Sequence, residues 1–153
     1  MKKKILFLIE WKYAEVYSKV YKESGAKGGI RENRYTSLIN SSSQLKNCHN
    51  LYYFEPFYQL MRQTLWAEQM IKNKGTETIK ANDYLHIHVI PKDNRELLNK
   101  KYPRSGKEMK ETWNSCLNDQ NKYVIISPEC LLTPIIGISR YSLLLEYLEK
   151  RYW

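Results

Sequence analysis

Residues Ile5 to Ile9 (ILFLI) form an unbroken apolar run that ends in Glu10, Trp11 and Lys12. Side chains of an extended chain alternate between faces, so Ile5, Phe7 and Ile9 share one face and Leu6, Leu8, Glu10 and Lys12 the other. Both faces are apolar until the last positions, the pattern of a central strand in a covered sheet, and a strand is predicted over 4–11. A short helix is predicted over 14–24, with Tyr13, Tyr17 and Tyr21 four apart and Gly25 as its stop. The stretch GAKGGIRENRY then reads as a glycine-rich basic loop entering a second short helix, and NSSSQLKNCHN as a polar connector.

The strongest helical pattern covers 56–73. Pro56 stands in its first turn, Gly75 lies just beyond its end, and Lys72 and Lys74 sit where the helix dipole favours cations. Apolar residues cover most of its circumference, which marks a helix packed on more than one side. YLHIHVIP (84–91) alternates as a strand closed by Pro91, a helix is expected at 107–118, and KYVIIS (122–127) is a third strand. Pro128 opens a helical turn, and an amphipathic helix runs from 139 to 152. Alternating strands and helices place the chain in the α/β class, as one domain over residues 1–153.

Composition narrows the function. The apolar run at the start has five residues, below the roughly 7–15 of a secretory h-region, and no stretch reaches the roughly 18 apolar residues of a membrane span. A cytoplasmic, non-membrane protein is expected. Cys48, Cys116 and Cys130 are far apart and odd in number, which argues against a disulfide framework. Lys and Arg number 25 against 16 Asp and Glu, a formal charge of +9 and a pI near 9.4, the electrostatic footprint of a polyanion binder.

Candidate chemistry centres on the strand end. Glu10 and Lys12, at i and i+2, project from one face. A carboxylate there can ligate Mg²⁺ (or Mn²⁺), the Trp11 backbone carbonyl can add a second oxygen, and Lys12 can orient water or balance charge on a phosphate. Two charged residues leaving a sheet for solvent would carry the same letters. On the helix over 56–73, Gln59, Arg62 and Gln63 share one polar face. Lys27, Arg31 and Arg34 adjoin the strand in sequence and are the preferred DNA-backbone contacts, whereas Lys100, Lys101, Arg104, Lys107 and Lys110 read as a solvated face. His86 and His88 share a strand face that can chelate zinc or copper, with His49 beside Cys48 as a further donor, but their spacing favours packed or hydrogen-bonded histidines. There is no G-x-S-x-G nucleophile elbow and no phosphate-binding G-x-x-x-x-G-K-[ST] loop.

ILFLIEWKYAEVY, KGGIRENRY, FEPFYQLMRQTLWAEQM and DYLHIHVIPKDNREL together resemble a family of bacterial restriction endonucleases in the PD-(D/E)XK nuclease superfamily. The resemblance covers residues 4–98, with a looser tail. It implies a restriction-endonuclease-like mixed sheet flanked by helices and Mg²⁺-dependent hydrolysis of DNA phosphodiesters. Glu10 and Lys12 would form the E-x-K half of the motif, and Gln59, with Arg62 beside it, the supporting polar face. That superfamily takes another acid from a preceding strand, and no acid precedes Glu10 here. The chain is therefore expected to be the C-terminal part of a longer nuclease that lacks its N-terminal strands, with Glu15 or Asp83 as substitute acids. A homodimer, or the missing N-terminal segment, is the expected partner besides DNA. The alternatives are a non-catalytic nucleic-acid-binding remnant or subunit, and a structural fragment needing its upstream portion.

Overall fold

The computed structural model describes residues 3–12 and 26–152, with the side chains of Ala26, Lys27 and Tyr152 outside that description. The helix expected over 14–24, and with it Glu15, lies outside the described residues. Three strands form one sheet: β1 (Ile5–Trp11), β2 (Asp83–Val89) and β3 (Tyr123–Ile126), in the order β1-β2-β3 and parallel throughout. The expected mixed sheet is thus a parallel one among the described strands. Among the described strands β1 lies at the edge, and β2 takes the central place that the apolar run of β1 had suggested. The reason lies in β1's own faces: Ile5, Phe7 and Ile9 remain 46%, 55% and 55% exposed, so this row is apolar without being covered.

Among the described residues seven α-helices accompany the strands. α1 (Ala26–Asn40), α2 (His49–Tyr52) and α3 (Phe57–Lys72) lie between β1 and β2; α4 (Arg95–Leu98) and α5 (Met109–Ser115) lie between β2 and β3; α6 (Pro128–Leu132) and α7 (Ser142–Tyr152) follow. α1 swallows most of the stretch expected as a glycine-rich loop. Each glycine costs a helix interior about 1 kcal/mol relative to alanine. Packing of Tyr35, Leu38 and Ile39 onto the core offsets that cost, and Gly28 is itself buried. The polar connector after α1 is tied down by Glu68 of α3, which accepts from the backbone of Ser43 (2.9 Å) and Gln44 (3.1 Å).

α3 covers the inner face of the sheet, and its long apolar circumference is used on two sides. Phe57, Leu60, Met61 and Leu65 are buried with Trp113 of α5 and Tyr123 of β3. Trp113 is the hub of an aromatic cluster, stacked on Phe57 at 6.4 Å and meeting Tyr52 (6.2 Å) and Tyr123 (6.4 Å) edge-on. At the opposite end of the chain α7 leaves Leu143 and Tyr147 exposed, which its amphipathic pattern did not foretell. Among the described residues no helix is long and apolar enough to cross a membrane.

The aromatic cluster fixes α3 and α5 against β3, so it carries a testable cost. Trp113→Ala is expected to lower the unfolding free energy by about 3–5 kcal/mol, the range for emptying a fully buried aromatic site. Urea denaturation followed by far-UV circular dichroism measures it.

Candidate functional site

Parallel pairing of β1 with β2 sets the site. Glu10 stands opposite His88 and Leu8 opposite His86, so the inner row of β1 meets the inner row of β2 at the carboxyl ends of the strands. Pairing continues one residue past β1, where the Lys12 backbone N–H donates to the Val89 carbonyl at 2.9 Å. That extra bond turns the Lys12 side chain inward, and the residue is only 5% exposed.

A buried ammonium needs counter-charge and acceptors. Lys12 Nζ lies 2.6 Å from Glu10 Oε1 and donates to Gln59 Oε1, also at 2.6 Å. α3 therefore delivers Gln59 across the sheet face to close the arrangement. On the other side of the carboxylate, His88 Nε2 stands 3.2 Å from Glu10 Oε2, an ion-pair contact that falls short of full hydrogen-bond alignment, and His86 Nε2 stands 3.9 Å away. His88 Nδ1 is 2.9 Å from the Tyr123 hydroxyl.

Burial opposes ionisation of Glu10, but His88 and Lys12 outweigh it and hold the carboxyl down to about 2. An ionised carboxylate only accepts, so His88 carries its proton on Nε2, facing Glu10. On its other side the ring meets β3, with His88 Nδ1 2.9 Å from the Tyr123 hydroxyl. Burial raises the Tyr123 phenol well above its ordinary range, which keeps its proton in place. His86 is different: burial, with help from His88, pushes it down to about 4, and neither ring nitrogen has a hydrogen-bond partner among the described residues.

The expected site residues separate into three groups. Glu10, Lys12 and Gln59 come together in direct contact. Arg62, one turn along α3 from Gln59, and Arg31 of α1 each stand over the ring of Tyr58, at 5.5 and 5.9 Å from its centre. Arg34 is exposed on α1, and the side chain of Lys27 lies outside the described residues. Asp83, considered as a substitute acid, sits opposite Ile5 at the other end of the sheet. Five residues at about 3.3 Å each put it about 16 Å away. There it is paired with Lys3 and Lys122, which hold its carboxyl at about 2. His49 stands apart as well, with its Nε2 3.2 Å from Asn40 Oδ1.

Sequence reasoning treated His86 and His88 as a rival site and did not join them, or Tyr123, to Glu10. A signal was available: the alternating H-x-H of one strand is in phase with the E-x-K of another, and parallel neighbours at the same height bring such rows together.

For a hard divalent cation the described donors amount to one carboxylate. Glu10 Oε2 is buried and, among the described residues, meets only the poorly aligned His88 Nε2 and the more distant His86 Nε2, which leaves lone-pair capacity for a ligand. Among the described residues no group of three or more His, Cys, Asp or Glu is arranged to hold a metal ion. This donor fits magnesium of the kind held by one carboxylate, water and substrate phosphate, rather than by a preformed cage.

The family model described as "Restriction Endonuclease associating with ARP" matches residues 1–153. No curated protein and no solved structure gives a match.

The depressed His86 makes stability pH-dependent. The unfolded chain takes up its proton near 6.5 and the folded chain only near 4, so the stability this residue contributes is complete above 6.5 and is lost as pH falls toward 4. The difference is at most about 3 kcal/mol. Thermal melts between pH 7 and 4.5, with a chelator present, should show a falling Tm. His86→Gln should flatten that fall, and Glu10, whose own transition lies between about 4.5 and 2, contributes little in this window.

Proposed function

Because the chain belongs, over residues 1–153, to the family of restriction endonucleases associating with ARP, we propose that it hydrolyses DNA phosphodiester bonds in a magnesium-dependent reaction. The observation that carries the proposal is the buried Lys12 ammonium bridging the Glu10 carboxylate and the Gln59 amide at the carboxyl edge of a parallel sheet. Ligands of open α/β sheets bind at that edge.

Each residue has a distinct task in this scheme. Glu10 is anionic at neutral pH and offers Oε2 to the cation, with the Trp11 carbonyl as a second candidate oxygen. A bound magnesium (or manganese) ion supplies Lewis-acid stabilisation of the phosphate and a more acidic water. Lys12, held against Glu10 and Gln59, places its positive charge where it can orient the attacking water or balance the charge that develops on phosphate oxygens. Gln59 accepts from Lys12 through Oε1 and can donate to substrate through its amide N–H groups. Arg31 and Arg62, steadied over Tyr58, and Arg34 and Lys27 on the same helix as Arg31, bind the DNA backbone. His88 and Tyr123 hold Glu10 in place: the phenol braces the imidazole and the imidazole braces the carboxylate. A restriction-endonuclease-like arrangement of the sheet belongs to the same proposal.

A second reading is a DNA-binding subunit without turnover. It is favoured by the single carboxylate in the described site, and it predicts DNA affinity with no cleavage at any Mg²⁺ or Mn²⁺ concentration.

Plasmid cleavage in Mg²⁺ tests the first. Glu10→Gln and Lys12→Ala are each expected to reduce the rate about 100-fold or more while a gel-shift affinity for the same DNA changes little. Wild-type rates in either variant would sink the assignment. Tyr123→Phe keeps the ring in its packing and removes only the hydroxyl. It should lower kcat by about 10-fold with KM unchanged, as loss of an outer hydrogen bond does to a metal site.

A further inference from the structure

Beside the Lys12–Gln59 contact, α1 and α3 enclose a cleft of about 590 Å³. That lies within the roughly 300–1,000 Å³ of small-ligand sites. Leu38 and Leu65 supply apolar lining, and Tyr35 and Trp66 add aromatic rings. Trp66 is 49% exposed although it belongs to the helix that builds the core. Its ring is therefore accessible to a planar partner entering the cleft.

The polar lining is suited to a nucleobase. Gln63 lines the cleft, and its Oε1 is buried with no hydrogen-bond partner among the described residues. Such an acceptor costs stability unless something donates to it. Gln69 adds a second amide, and Arg62 a cation. Gln59 belongs to both places: its side chain lines the cleft while its Oε1 takes the Lys12 ammonium. Whatever occupies the cleft therefore sits one side chain from the phosphate chemistry.

Charge selects the occupant. The chain carries +9 overall, and Arg31 and Arg62 converge on Tyr58 next to the cleft. An apolar, aromatic slot with amide groups and a cationic border matches a base attached to a phosphate backbone. It matches a buried protein helix poorly, because the border would then face apolar surface.

We propose that the cleft between α1 and α3 receives the unpaired base of a DNA nucleotide, stacked on Trp66 and hydrogen-bonded by Gln63, next to the phosphate offered to Lys12. The base site rests on the nuclease reading for its neighbouring phosphate, and its occupancy is independent of cleavage. The unpaired base comes from single-stranded DNA or from a nucleotide turned out of a duplex.

Binding in EDTA separates these outcomes. Fluorescence anisotropy is measured with the full chain on a single-stranded oligonucleotide and on a duplex of the same sequence carrying 2-aminopurine. A single-stranded source gives tighter binding to the single strand. A turned-out base gives duplex binding with a change in 2-aminopurine emission as the base leaves its stack. In either case Trp66→Ala should cost roughly 5- to 100-fold in affinity or abolish the emission change, the range of one base–aromatic stack. Trp66→Phe should recover most of the loss. Lys12→Ala should keep the Trp66 dependence. If Trp66→Ala binds both DNAs as the wild type does, the base site is overturned whether or not the protein cuts. If the Trp66 dependence is present and no DNA is cleaved in Mg²⁺, the base site stands and the nuclease reading falls.

Discussion

An ammonium group taken out of water demands an anion, and in this protein that demand organises the structure. Moving a lysine charge into the interior costs several kcal/mol unless paired and hydrogen-bonded. Lys12 meets the demand with Glu10 from its own strand and Gln59 from α3. Glu10 in turn leans on His88 of β2, and His88 on Tyr123 of β3. One charge thus enlists three strands and a helix, and each partner is useless unless the others hold their places. The same dependence means that stability and chemistry share their groups: what neutralises Lys12 in the resting protein is what a cation would bind.

The two ends of the sheet are treated differently. At the amino end, Asp83 is clamped between Lys3 and Lys122 and is left no free charge. At the carboxyl end the described groups are Lys12, Gln59 and two histidines around one carboxylate, Glu10. The two ends thus differ in what is left open: both oxygens of Asp83 are held by lysines, whereas Glu10 keeps one oxygen outside its contact with Lys12.

Periodicity along the chain revealed β1, α3, β2 and β3 because alternation and helical spacing are local properties. Edge or centre is not local. Residues Ile5, Phe7 and Ile9 read as a buried row, and only the strand order shows that the row is half uncovered. The length of α1 was hidden for a related reason: Gly28 and Gly29 signal a loop by propensity, and contacts made far away in sequence overrule it. At the site, Glu10, Lys12 and Gln59 were found because two strong local patterns each carried unusual polar residues. His88 and Tyr123 were missed as members because their membership depends on which strands pair, and at what height. His86 and His88 looked self-contained as H-x-H until β1 was laid beside them.

The register of β1 on β2 has a consequence for how this chain can change over generations. One residue added or lost between Ile5 and Glu10 would rotate every later side chain to the opposite face, exchanging Glu10 and Lys12 for Ile9 and Trp11 in the interior. Two residues would restore the face but shift the pair along the strand by about 6.6 Å, past His88 and out of reach of Gln59. The strand is therefore intolerant of length variation while accepting many apolar side chains at its positions. Descendants of this gene can vary the letters of ILFLI freely; its spelling length they must keep.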